Sequence, residues 1–174
     1  MKADDDHYKL YEKVYFFEAD RKEKLIARLN LPLAMLVALS SFLSYLLGKA
    51  PPSTQTAGIF FWVFFLSCGI CVGLGIFHFA KAWRIRNADL SIPTMTKLEN
   101  HRQELLAYYG DGGEETANRF FFQIMADYYV MGATKNSLNN DDRANELDLL
   151  SKFVIWSIVL AILSFVPFYL HNHP

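Results

Sequence analysis

Apolar and polar positions in this chain segregate into long blocks rather than alternating finely. Residues 58–80 read G-I-F-F-W-V-F-F-L-S-C-G-I-C-V-G-L-G-I-F-H-F-A, 23 positions without a charge. At 1.5 Å per residue this block spans roughly 34 Å, enough to cross a hydrocarbon layer of about 30 Å. A soluble helix of that length would keep one polar stripe, and this one is apolar all round. Residues 31–48 and 153–170 form two further uncharged blocks of 18 residues each, about 27 Å as helices. Three membrane-spanning helices are therefore expected. Trp62 and Trp83 flank the second block, and Trp156 and Tyr169 the third, at the depths where aromatic belts form.

Between the apolar blocks the pattern is polar but still helical. In residues 4–28, Leu10, Val14, Phe17, Arg21 and Leu25 recur at steps of three and four, with Tyr8, Tyr11 and Tyr15 beside them. This predicts an amphipathic helix whose aromatic face needs a partner, either another helix of the chain or a second subunit. Asp4, Asp5 and Asp6 supply acids suited to its N-terminus. Pro32 opens the first span, where its missing N–H costs little if Asn30 caps a new helix; a helix running straight in would kink there. Residues 49–57, K-A-P-P-S-T-Q-T-A, make a short turn joining two antiparallel spans.

After the second span, Pro93 breaks the chain, and Thr96-x-x-Glu99 resembles a capping box for a helix ending near Tyr109. Leu98, Leu105, Leu106 and Tyr109 form its expected buried face, and Gly110-Asp111-Gly112-Gly113 a turn. From Glu114 a helical pattern runs through Phe121, Ile124, Tyr128, Met131, Leu138 and Leu149. Its stripe turns polar between residues 134 and 145. One reading is a break at Asn139-Asn140-Asp141 that caps a new helix; the other is a continuous helix whose polar residues bond between subunits. The break is the expectation. The fold expected is thus all-α: a cytosolic helix (1–30), a transmembrane hairpin (31–80), a cytosolic helical region (81–151) and a third span with a short outer tail (152–174).

Charge supplies the orientation. Of 17 Lys and Arg, Lys49 alone lies in the turn between the first two spans, and none follows the third. The positive-inside rule then expects the N-terminus and residues 81–151 in the cytoplasm and the C-terminus outside. The start, M-K-A-D-D-D-H-Y, lacks the basic and apolar regions of a cleaved signal peptide. A net charge of −1 gives no basic field for nucleic acid.

Candidate chemistry is sparse. No G-x-x-x-x-G-K-[ST], H-E-x-x-H or G-x-S-x-G occurs, so no enzyme, cofactor or metal is expected. Cys68 and Cys71 form C-x-x-C inside the second span, where apolar surroundings favour packing over redox chemistry. His171 and His173 sit at the terminus, and His78 near the end of the second span reads as a packed neutral histidine. No Asp, Glu, Lys or Arg lies within a span, which argues against proton-coupled transport or voltage sensing. Small and hydroxylated residues are the candidate helix-packing or pore-lining positions: Ser40 and Ser44 in the first span, Gly69 and Gly73 in the second, Ser157, Ala161 and Ser164 in the third. Glu146 and Asp148, just before the third span, are candidates for a cytosolic mouth of an oligomer.

The entry E-A-D-R-K-E-K-L-I-A-R-L-N-L-P-L into the first span, the tight hairpin, and the exit K-A-W-R-I-R resemble the SLATT-type small bacterial membrane effectors over residues 8 to 150. The third span has no counterpart in that two-span layout. The resemblance implies a homo-oligomer of the bacterial inner membrane, associated with antiphage defence, that permeabilises the bilayer when a cytosolic sensor protein or small-molecule signal triggers it. The expected function is accordingly a pore-forming or pore-gating effector under cytosolic control. The alternative is a non-conducting membrane anchor or adaptor that recruits a cytosolic partner.

Overall fold

A computed structural model describes residues 2–85 and 89–173, with side chains from residue 6 onward. The described residues form five helices and no strand: α1 (Lys2–Arg28), α2 (Asn30–Leu47), α3 (Thr56–Arg84), α4 (Met95–Tyr109) and α5 (Glu114–Asn172). Three stretches are long and apolar enough to cross a membrane, in the α1–α2 run, in α3 and in the last part of α5. The expected caps at Asp4 and Asp5, and Arg86 of the exit motif, lie outside the described side chains.

Of the two ways into the first span, a new helix capped by Asn30 is not the one taken. Leu29 alone interrupts the helix, and its backbone stays right-handed helical at φ −70°, ψ −22°. The Leu29 N–H bonds the Ile26 carbonyl at 3.1 Å, and the Leu33 N–H bonds the Leu29 carbonyl at 3.1 Å. Pro32 has no N–H to give the Arg28 carbonyl, so one tightened residue absorbs the fault. A correction concerns α4. Its cap position is Thr94 and its first residue Met95, which puts Thr96 inside the helix. Glu99 faces Arg102 (3.0 and 2.9 Å) and Gln103 (2.7 Å) instead of the helix start. The Arg102 guanidinium, helped by Gln103, holds the Glu99 carboxyl at about 2.

The largest correction is α5. It runs unbroken through Asn139-Asn140-Asp141, although three such residues favour turns in isolation. The polar residues that suggested a break are bonded within the chain, so contacts between subunits are not needed to satisfy them.

The chain divides into two compact units. One comprises Met1–Lys24 and Asn87–Asp141, the other Leu25–Arg86 and Asp142–Pro174. In the first, Tyr15, Leu98, Met125, Tyr129 and Ala133 form the core, with Tyr8, Ile92, Phe121 and Tyr128 against it. Tyr8 meets Tyr129 edge to face at 5.6 Å, the arrangement aromatic quadrupoles prefer. The extended segment after α3 is held by side chains. Asn136 accepts from the Leu90 N–H at 2.9 Å and donates to the Leu90 carbonyl at 3.1 Å. The Tyr15 hydroxyl accepts from the Ile92 N–H at 3.2 Å, and Asp89 takes Asn139 (2.9 Å) and Lys22 (2.9 Å). Buried Asn140 donates to both the carbonyl and the carboxylate of Glu18, at 2.8 and 2.9 Å. Arg21 bridges Glu18 and Asp141 at 3.4 and 2.6 Å. Of the α1 face expected to need a partner, Tyr15 and Leu25 are covered, as is Glu18, while Leu10, Val14 and Phe17 stay exposed.

In the second unit α2, α3 and the end of α5 pack around Leu36, Leu39, Leu43, Cys68, Val72, Leu150, Val154 and Ala161. Leu46, Phe61 and Phe168 close it at the α2–α3 turn, where the Trp62 indole donates to the Pro51 carbonyl at 3.2 Å. The outward faces are as apolar as the core: Val37, Ile70, Ile155 and Ile162 are each about 60% exposed. Contiguous apolar surface on that scale is unstable in water and ordinary in lipid.

Two glycines give a test of this packing. A Cβ on Gly132 would lie 2.6 Å from the buried Tyr15 ring, whereas one on Gly73 meets nothing within 4 Å. Gly132→Val is expected to destabilise the protein by about 1–3 kcal/mol through overpacking, and Gly73→Ala, inside α3 with open space around it, to leave stability unchanged or raise it by up to about 1 kcal/mol. Thermal unfolding in detergent, followed by circular dichroism, checks both.

Candidate functional site

Along the last part of α5 the buried positions run Arg143, Glu146, Leu150, Val154, Ser157, Ala161, Ser164 and Phe168. This is one stripe at helical spacing, and its first two members are charged. On α3 the residues one turn apart at the end away from the α2–α3 turn are His78 and Lys81. The His78 Nδ1–H donates to Glu146 Oε2 at 2.6 Å, and Lys81 Nζ donates to Glu146 Oε1 at 2.5 Å. The His78 ring lies parallel to Phe153, 12° between planes and 5.4 Å between centroids. Both oxygens of one nearly buried carboxylate are thus committed to α3. Burial pushes the Glu146 carboxyl up, but the bonds from His78 and Lys81 outweigh it and leave the group below its usual value. Such a cluster fixes the register between α3 and α5 where apolar contacts alone would let them slide.

Other candidate positions divide into two sets. Ser157, Ala161 and Ser164 are buried inside the bundle. The Ser157 hydroxyl donates to the Phe153 carbonyl (2.8 Å) and its own carbonyl accepts from Cys68 Sγ at 3.2 Å, while the Ser164 hydroxyl donates to Ala161 (2.8 Å). Ser40 and Ser44 lie on the exposed face of α2, their hydroxyls donating to the Leu36 and Ser40 carbonyls at 2.8 and 2.9 Å. Gly69 and Gly73 are exposed, with open space where a Cβ would be. Gly75 is the glycine that packs within the bundle, 3.1 Å from Leu36 and 3.8 Å from Leu150. Asp148 is exposed and paired with Lys152 at 2.6 Å, while Glu146 faces inward. In the first unit an open groove of about 460 Å³ is lined by Ser91, Thr94, Lys97, His101 and Tyr128. Among the described residues no group of three or more His, Cys, Asp or Glu is arranged to hold a metal ion.

Sequence reasoning missed the joint role of His78, Lys81 and Glu146, and the burial of Arg143. The signal was present: Arg143 and Glu146 continue the three- and four-residue stripe that leads into the third span, so an acid and a base sit on a face otherwise reserved for Leu, Val and Ala.

No protein-family description, curated protein or solved structure matches this chain at a significant level.

Because the folded Glu146 carboxyl lies below its unfolded value, its stabilisation is present above the ordinary carboxylate range and is lost as pH falls through the folded value. Glu146→Gln is expected to cost about 1–3 kcal/mol at neutral pH. The gap in thermal midpoint between native protein and variant should close on acidification below the carboxylate range, measured in detergent across a pH series.

Proposed function

We propose that the protein is a homo-oligomeric effector of the bacterial inner membrane that forms or gates a pore under the control of its cytosolic helices, in antiphage defence. The observation that carries this reading is the division of the spans' small and hydroxylated residues. One set, Gly75, Ser157, Ala161 and Ser164, is consumed within the bundle. The other, Ser40, Ser44, Gly69 and Gly73, is left on the outside. In lipid, where apolar surface alone drives little association, outward small residues favour close contact between copies. The serines bond back to their own helix, so they can face lipid in a closed state and line a water path in an open one. Charge asymmetry supports a cytoplasmic N-terminus and an outer C-terminus. The SLATT-type layout supports a role in defence, and the groove beside Lys97 and His101 offers a place for a small-molecule signal.

A non-conducting adaptor is the second reading. It is favoured by the apolar residues left exposed in the first unit, Leu10, Val14 and Phe17 on α1 with Met131 and Leu138 on α5, which suit a cytosolic partner protein.

Ion flux into vesicles reconstituted with purified protein separates the two. A pore predicts flux above empty vesicles and an oligomer in detergent. Gly69→Leu combined with Gly73→Leu is expected to remove both while leaving the thermal midpoint in place. Tight vesicles with a partner co-purifying through residues 87–150 would favour the adaptor, and a strictly monomeric protein would end the pore reading.

A further inference from the structure

The helix α3 presents three faces. Phe61, Cys68, Val72 and Gly75 point into the bundle, and Gly69 and Gly73 lie on a second, exposed face. The third, centred about 80° further round the helix, carries Val63, Leu66, Ile70, Leu74 and Phe77, all exposed, and then Lys81 and Arg84. The steps are three or four residues throughout, so the apolar run and the two cations form one outward stripe. Trp83 is exposed at the same turn, its ring stacked on Phe79 at 6.1 Å, as an indole at headgroup depth would be.

We propose that this stripe binds an anionic phospholipid, with the phosphate on Lys81 and Arg84 and an acyl chain along Phe77, Leu74 and Ile70. The inference rests on the three helices crossing a membrane and is independent of pore formation. Charge complementarity selects the occupant. From Leu25 to Arg86 the chain contains no acid. On the packed neighbour α5, Glu146 takes up part of the Lys81 charge, and Asp148 is matched by Lys152. Lys81 remains 54% exposed despite its bond to Glu146, so its ammonium can meet a phosphate with a second proton while the first stays on the carboxylate. A zwitterionic lipid brings its own cation to the same place and gains less. A second protein helix would have to carry acids inside the membrane boundary to match the pair, which is costly.

Native mass spectrometry of the full chain in detergent, with phosphatidylglycerol or phosphatidylcholine of identical acyl chains, tests this. Each cation near an anionic headgroup strengthens binding about fivefold and the pair about twenty-five-fold. The native protein should therefore retain phosphatidylglycerol preferentially, and Lys81→Gln with Arg84→Gln should bring the two lipids to parity. Arg84→Gln alone leaves the Lys81–Glu146 bridge intact and should lose about fivefold, with Arg84→Lys restoring most of it. Lys49→Gln, at the opposite end of the spans, should keep the native preference. Equal retention of both lipids by the native protein, an unchanged preference in Arg84→Gln, or an equal loss in Lys49→Gln would each overturn the proposal. None of these outcomes depends on whether the protein conducts ions.

Discussion

Hydrocarbon offers no hydrogen-bond partner to a backbone amide and no solvation to a charge, and the second unit is compatible with that constraint. Its spans contain no ionised residue, and their backbone groups bond within the helices. Even the hydroxyls of Ser40, Ser41, Ser44, Ser157 and Ser164 return to carbonyls three or four residues back. What polarity the bundle needs for register is gathered at one end, in the His78–Glu146–Lys81 cluster. There Lys81 still reaches water and the carboxylate is compensated on both oxygens.

The first unit answers a different problem. Its helices are too polar to hold together by area alone, and buried amides and carboxylates do much of the specifying. Asn136 treats Leu90 as a neighbouring strand would, meeting both its N–H and its carbonyl. Asn140 spends its donors on Glu18, which Arg21 also grips. Such contacts are worth little more than water's own when made and a good deal when broken. That asymmetry favours one arrangement of α1 against α5 over its near alternatives.

Helix type and the apolar stretches were legible in the sequence because a membrane crossing demands long uncharged blocks such as 31–48, 58–80 and 153–170, and the helices found there are long and apolar enough to make one. Boundaries that depend on one backbone bond were not. Thr96 had the spacing of a capping box, yet the helix starts at Met95, with Thr94 in extended backbone at its cap position. The Asn139–Asp141 stretch carried a local preference for a turn that tertiary bonds to Glu18, Asp89 and Arg21 override. Gly69-x-x-x-Gly73 marked a close-packing face, but only coordinates show that Gly75 serves the bundle while that pair looks outward. The candidate site was half visible: Glu146 stood out as an acid beside a span, whereas its partners on α3 lie 65 and 68 residues away in sequence.

That separation also orders events during synthesis. Chains emerge N-terminus first, so α1 is complete long before the residue that satisfies its buried acid: Asn140 lies 122 positions after Glu18. Through most of translation the amphipathic α1 has its aromatic side open, and the segment at Leu90 waits a further 46 residues for Asn136. The apolar helices α2 and α3 are synthesised before the part of α5 that closes the first unit, so their apolar surface needs cover while the polar unit is still incomplete.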